Sequence, residues 1–81
     1  MKKAVKLPIG DVIQDLREAK SISRLQFGAL IFASYQTVRA IEVGDQYPHF
    51  DVLEDIAAAL DVPMWRIVKE AEERKGARHG Y

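Results

Sequence analysis

The sequence predicts an all-α fold of five short helices. Three observations predict it: apolar residues recur at helical spacing, serines able to cap helices precede two segments, and glycine or proline breaks separate the rest. Ile9, Val12, Ile13 and Leu16 line one face of a first helix over about residues 8–20, with Pro8 suited to its first turn. In the next segment Ser23 can cap exposed amides, Gln26 can reach back to it, and Ile22 can staple onto Phe27. That second helix ends near Ile31. A second cap, Ser34, opens a third helix through Ile41 and Glu42, which stops at Gly44. A turn-rich loop of Asp45, Gln46, Tyr47, Pro48 and His49 follows. Leu53, Ile56, Ala57 and Leu60 mark a fourth helix over about residues 50–60. After the break at Asp61, Val62 and Pro63, the residues Met64, Ile67, Val68 and Ala71 mark a fifth, fading into a charged tail from about Lys75.

Length and composition narrow the function. With 81 residues, 48% of them hydrophobic, there is material for one core. A chain this short buries only about 60% of its unfolded surface, so a large substrate cleft is not expected. There is no cysteine, and the two histidines, His49 and His79, are far apart, which argues against a disulfide framework or a structural metal site. No nucleophile–base pair or phosphate-cradling glycine loop is visible, so the chain does not read as an enzyme. The apolar stretch at residues 29–33 is far short of the roughly 20 residues of a membrane span, and Lys6, Pro8, Gly10 and Asp11 interrupt any leader behind Lys2 and Lys3. The expected setting is the cytoplasm, with no membrane, cofactor or small-molecule effector implied.

Net charge is zero, but unevenly spread: +3 over residues 1–24, −5 over 25–64 and +2 over 65–81. A basic surface must therefore come largely from the two ends, whereas duplex DNA rewards clustered Lys and Arg.

Two short helices joined by a three- or four-residue turn, the second capped at Ser34, form the arrangement that places its second helix in the DNA major groove. Residues 20–60 resemble the lambda-repressor-like (Cro-type, XRE-type) helix-turn-helix family. The resemblance lies in Arg17, Ser23, Ser34, Val38, Ile41, Glu42 and Gly44, and downstream in Pro48, Leu53, Ile56, Ala57, Leu60, Asp61 and Val62. It implies a five-helix DNA-binding domain, double-stranded DNA as partner, dimeric binding to a palindromic operator, no catalysis, and a scaffold ion pair between Arg17 and Glu42. The chain departs from the family pattern at Arg24, Gly28, Phe32 and Val43, where Gln, Ala, Gly and a basic or amide residue are usual. A bulky residue in a turn that needs a positive dihedral predicts a remodelled turn or an aromatic ring buried in compensation. The organisation expected is a flexible basic arm (1–7), the helix-turn-helix domain (8–74) and a flexible tail (75–81).

Site residues follow from that geometry. The outward side chains at the start of the third helix, Tyr35, Gln36, Thr37 and Arg39, are the expected base readers. Gln can bond adenine twice and Arg can grip guanine, each good pair contributing about 1–3 kcal/mol of discrimination. Phosphate contacts are expected from Arg24, from Gln46 and Tyr47, and from Lys2, Lys3 and Lys6. Asp45, Asp51, Glu54 and Asp55 oppose them if they face the duplex. Trp65, one residue off the apolar stripe, either closes the rim of the core or anchors a second chain. The second reading makes Trp65, Met64 and Val68 a homodimer contact. The function expected is a sequence-specific DNA-binding transcriptional regulator, a repressor. The alternative is a protein-interaction module of the same fold, antitoxin-like or an adaptor, with weak or no DNA binding.

Overall fold

The computed structural model describes residues 7–78, with side chains described for residues 7–76. Five helices follow one another: α1 Ile9–Ala19, α2 Arg24–Ile31, α3 Tyr35–Val43, α4 Phe50–Leu60 and α5 Met64–Arg78. No strand occurs among the described residues. The first four helices begin and end within a residue of where periodicity and caps place them. The fifth does not. It runs on to Arg78, three residues beyond the expected start of the tail at Lys75. Gly76 weakens a helix by about 1 kcal/mol but does not forbid one, and no proline follows it. The pairs Arg66–Glu70 and Lys69–Glu73, each four residues apart, support the turns before it. Residues 1–6 and 79–81, most of the expected arm and the end of the tail, lie outside the described residues.

One apolar cluster holds the helices together. Ile9, Val12 and Ile13 of α1, Phe27 and Ile31 of α2, Val38 and Ile41 of α3, Leu53, Ile56, Ala57 and Leu60 of α4, and Ile67 and Ala71 of α5 are all buried. Ile22 and Leu7 lean on its edge. Contacts are divided unequally: α3 packs chiefly on α1 and α2, while α5 packs on α1 and α4. An ion pair from Arg74 to Asp15, 2.7 Å, also ties α5 to α1. The opposite side of α3 is thus left to solvent.

Two glycines set how closely the helices meet. At Gly10 a Cβ would run into the Ile41 carbonyl and come 2.7 Å from that of Glu42, so α1 touches the end of α3 backbone to backbone. At Gly28 a Cβ would run into the Ala33 carbonyl, because the turn after α2 folds back over that position. The Ala33 amide closes this turn by donating to the Gly28 carbonyl at 2.8 Å.

Phe32 lies inside that turn and overturns both expectations made for it. The turn is not remodelled: Phe32 takes the left-handed conformation itself, φ 57° and ψ 42°. Nor is its ring buried, for it is 97% exposed. The tight return from α2 to α3 demands a left-handed residue, and packing on either side imposes it at a cost of about 1–2 kcal/mol for a residue with a side chain.

Candidate nucleic-acid interface

Both helices of the motif are entered through serine. Ser23 Oγ accepts from the Gln26 amide at 3.0 Å while Gln26 Oε1 accepts from the Ser23 amide at 2.9 Å, a reciprocal box. Ser34 Oγ accepts from the Thr37 amide at 3.1 Å and donates to Thr37 Oγ1 at 3.1 Å. These bonds fix where α3 starts and hence which of its residues point outward. Val38, Ile41 and Glu42 are buried beneath it. On the solvent side Gln36 and Arg39 are exposed and Tyr35 is 43% exposed, whereas Thr37 is half-buried with its hydroxyl engaged by Ser34. Among the described residues Arg39 makes no ion pair, so its guanidinium is available to an anion or a base edge.

Beneath this surface lies a buried ion cluster. Arg17 grips Glu42 with two bonds, Nε to Oε2 at 2.6 Å and Nη2 to Oε1 at 3.0 Å, and its Nη1 donates to the Ile22 carbonyl at 2.7 Å. The carboxylate is fully enclosed, and its partners meet the high cost of burying a charge. Arg24 joins it, donating from Nε to Glu42 Oε1 at 2.9 Å. The sequence predicts Arg24 as a group free to meet phosphate, but the structure has it committed in part to Glu42, with only 21% of its side chain exposed. Its guanidinium pKa is held above the ordinary value, chiefly by the hydrogen bond it donates to the Glu42 carboxylate.

The other predicted phosphate groups are scattered. Gln46 is exposed in the loop after α3, where the amides of Asp45 and Gln46 donate to the Ala40 carbonyl at 2.9 and 3.1 Å and hold the loop against the helix. Tyr47 is 40% exposed and its hydroxyl donates to the Leu7 carbonyl at 3.4 Å. Lys2, Lys3 and Lys6 lie outside the described residues. Asp45, Asp51, Glu54 and Asp55 are all exposed. In α5, Trp65 projects into solvent at 65% exposure, while Met64 and Val68 are half-buried against the core.

Sequence reasoning missed three features. Gly10 carries no pattern that announces a close approach. The Arg24–Glu42 bond joins positions 18 apart and appears only on folding. The greasy solvent side of α2, with Leu25 69% and Leu30 55% exposed beside Phe32, did leave a signal: no charged residue occurs between Arg24 and Arg39. No cluster of His, Asp or Glu suited to a metal ion occurs among the described residues, and no helix there is long and apolar enough to cross a membrane.

Two serine-capped helices on one core, the second turning a polar side to solvent, define a helix-turn-helix domain. The model of the helix-turn-helix family matches residues 13–64, and the chain belongs to that family, in its lambda-repressor-like branch of DNA-binding transcriptional regulators. Solved structures share the fold. The clp gene regulator ClgR from Corynebacterium glutamicum superposes with a TM-score of 0.88 at 14% identity, over 98% of this chain and 84% of that one. A second crystal structure of ClgR gives 0.80 at 15% identity, over 90% and 95%. The restriction-modification controller protein C.AhdI from Aeromonas hydrophila gives 0.72 at 23% identity, over 75% and 92%. At these identities the likeness is one of fold. No curated protein matches the sequence.

Proposed function

We propose that this chain is a sequence-specific repressor that binds a palindromic operator in double-stranded DNA as a homodimer. The observation that carries the reading is the split of α3, with Val38, Ile41 and Glu42 buried and Tyr35, Gln36 and Arg39 exposed around a serine-capped start. In this reading Tyr35, Gln36, Thr37 and Arg39 meet base edges in the major groove. Gln46, Tyr47 and the outer part of Arg24 meet phosphate, joined by Lys2, Lys3 and Lys6 from the chain start. Trp65 anchors the second copy, with Met64 and Val68 at its foot. Two copies of α3 then enter successive grooves about 34 Å apart. ClgR and C.AhdI, named as a gene regulator and a controller protein, are in keeping with this role.

The test is selection of bound sites from random duplexes, followed by salt titrations. A symmetric consensus is expected, with Gln36→Ala and Arg39→Ala relaxing preference at single positions and Gln46→Ala weakening all sequences alike. Equal losses on every sequence from all three changes would contradict the assigned roles. Light scattering of Trp65→Ala in the absence of DNA is expected to show a shift from dimer towards monomer.

Two observations favour a second reading, a protein-interaction module with weak or no DNA binding. Leu25, Leu30 and Phe32 expose an apolar surface on α2 and its turn, and the middle of the chain is acidic. A stoichiometric protein partner, with no duplex bound even at low salt, would establish that reading instead.

A further inference from the structure

The buried side chains of Val38, Ile41 and Glu42 fix which side of α3 is turned inward. At 3.6 residues per turn, the line most nearly opposite them runs through Gln36, Ala40 and Val43, with Arg39 beside it. Gln36, Arg39 and Val43 are exposed along it, Val43 at 48%, and Ala40 is half-buried. The solvent side of α3 therefore does not end at Arg39. It changes character there, from groups that make hydrogen bonds to groups that cannot. An isolated exposed valine is ordinary on a protein surface, and the register is what gives this one a meaning. Val43 stands seven residues past Gln36 and four past Arg39, on the same side of the helix as both.

The last turn of α3 is also anchored. Gly44 closes it in the left-handed conformation at φ 91°, the amides of Asp45 and Gln46 donate to the Ala40 carbonyl, and α1 at Gly10 abuts the carbonyls of Ile41 and Glu42. On a helix the branched Cβ of valine leaves one strongly preferred rotamer, so its methyls are presented with little freedom to lose on binding. They give a phosphate oxygen no hydrogen bond, and Asp45, exposed two residues on, repels one. The apolar group that duplex DNA carries in its major groove is the C5-methyl of thymine. We propose that Val43 is a further specificity-determining residue, one that covers a thymine methyl in the operator. The inference rests on the proposed reading of α3 as the helix that enters the major groove. Four residues advance about 6 Å along a helix and base pairs stack at about 3.4 Å, so this thymine lies within about two base pairs of the one Arg39 meets. Cytosine at the same place has no methyl to cover, and its amino group loses water without gaining a partner.

The experiment starts from the duplex that the unaltered chain selects from random sequence. Each thymidine is replaced singly by deoxyuridine, which pairs with adenine in the same way and lacks only the methyl. At one thymine in each half-site, affinity is expected to fall about fourfold, the contribution of one buried methyl. Val43→Ala alters an exposed position and is expected to fold as the unaltered chain does, which circular dichroism checks. In that variant the loss on removing the same methyl should disappear, with the salt slope unchanged because no charge is altered. With cytosine at that position, the unaltered chain should favour the 5-methylated base by about the same fourfold factor, and Val43→Ala should not distinguish the two. A folded Val43→Ala that keeps the full loss at every thymine, or a selected site at which no methyl matters, would overturn the inference while leaving α3 as the helix that reads DNA. Selection of no duplex at all would overturn that reading, and this inference with it.

Discussion

α2 and α3 are neighbours of nearly equal length, each entered through a serine that accepts the amide three residues on, yet their solvent sides have opposite chemistry. α3 presents Tyr35, Gln36 and Arg39, groups with donors and acceptors to offer. α2 presents Leu25, Ala29 and Leu30, and hands on to an exposed Phe32. The inner sides of both are fixed by the same need to cover one core, so they look alike. Folding leaves the outer sides free, and it is there that the helices differ in what they can bind.

The largest expected effect tests what holds α3 in place. Glu42→Ala strands two guanidiniums around a closed site, and urea unfolding at neutral pH should show a loss of about 3–5 kcal/mol. A loss below about 1 kcal/mol would mean that α3 is held by its apolar face alone. Next comes Gly28→Ala, which tests the α2 side. Alanine is the better helix former by about 1 kcal/mol, but the Ala33 carbonyl occupies the place of its methyl. Forcing the turn open should give a net loss of about 1–3 kcal/mol by thermal denaturation, and a gain would show that the turn is pliable.

The two caps sharpen the contrast at about 1 kcal/mol each. Ser34→Ala should be the costlier, because Ser23→Ala still leaves the backbone amide of residue 23 bonded to Gln26, whereas Ser34→Ala removes both of its bonds to Thr37. Only the change at Ser34 should also alter duplex selection. Equal effects of both on selection would erase the distinction between the helices. The smallest effect is a gain. Phe32→Gly relieves a left-handed side chain, partly offset by the greater freedom glycine has when unfolded, for a net stabilisation of about 0.5 kcal/mol. It should leave DNA selection unchanged. Lost selection would bring α2 and its turn into the recognition surface.

Legibility in the sequence followed the range of the signal. Caps and apolar periodicity act over three to seven residues, and they placed the ends of α2, α3 and α4. The outward placing of Tyr35, Gln36 and Arg39 on α3 followed from the same periodicity once Val38 and Ile41 were assigned to the core, whereas Thr37 is half-buried because its hydroxyl is drawn to the Ser34 cap. Where the determining contact is distant, the sequence was silent: Arg24 looks like an unattached cation until folding brings Glu42 beside it. Phe32 departs from expectation because the turn geometry outweighs the preference of one residue, and its ring is left in solvent. α5 outran its expected end because glycine is a weak stop when nothing else breaks the ladder.

Gly10 lies half-buried in the first turn of α1, where exposure alone would suggest that replacement is harmless. The carbonyls of Ile41 and Glu42 fill the space a methyl would take, so a side chain there has to push α1 and the end of α3 apart. Part of this domain's mutational fragility is therefore lodged at a position that has no side chain, and in a saturation library it would be depleted as sharply as any reader of DNA.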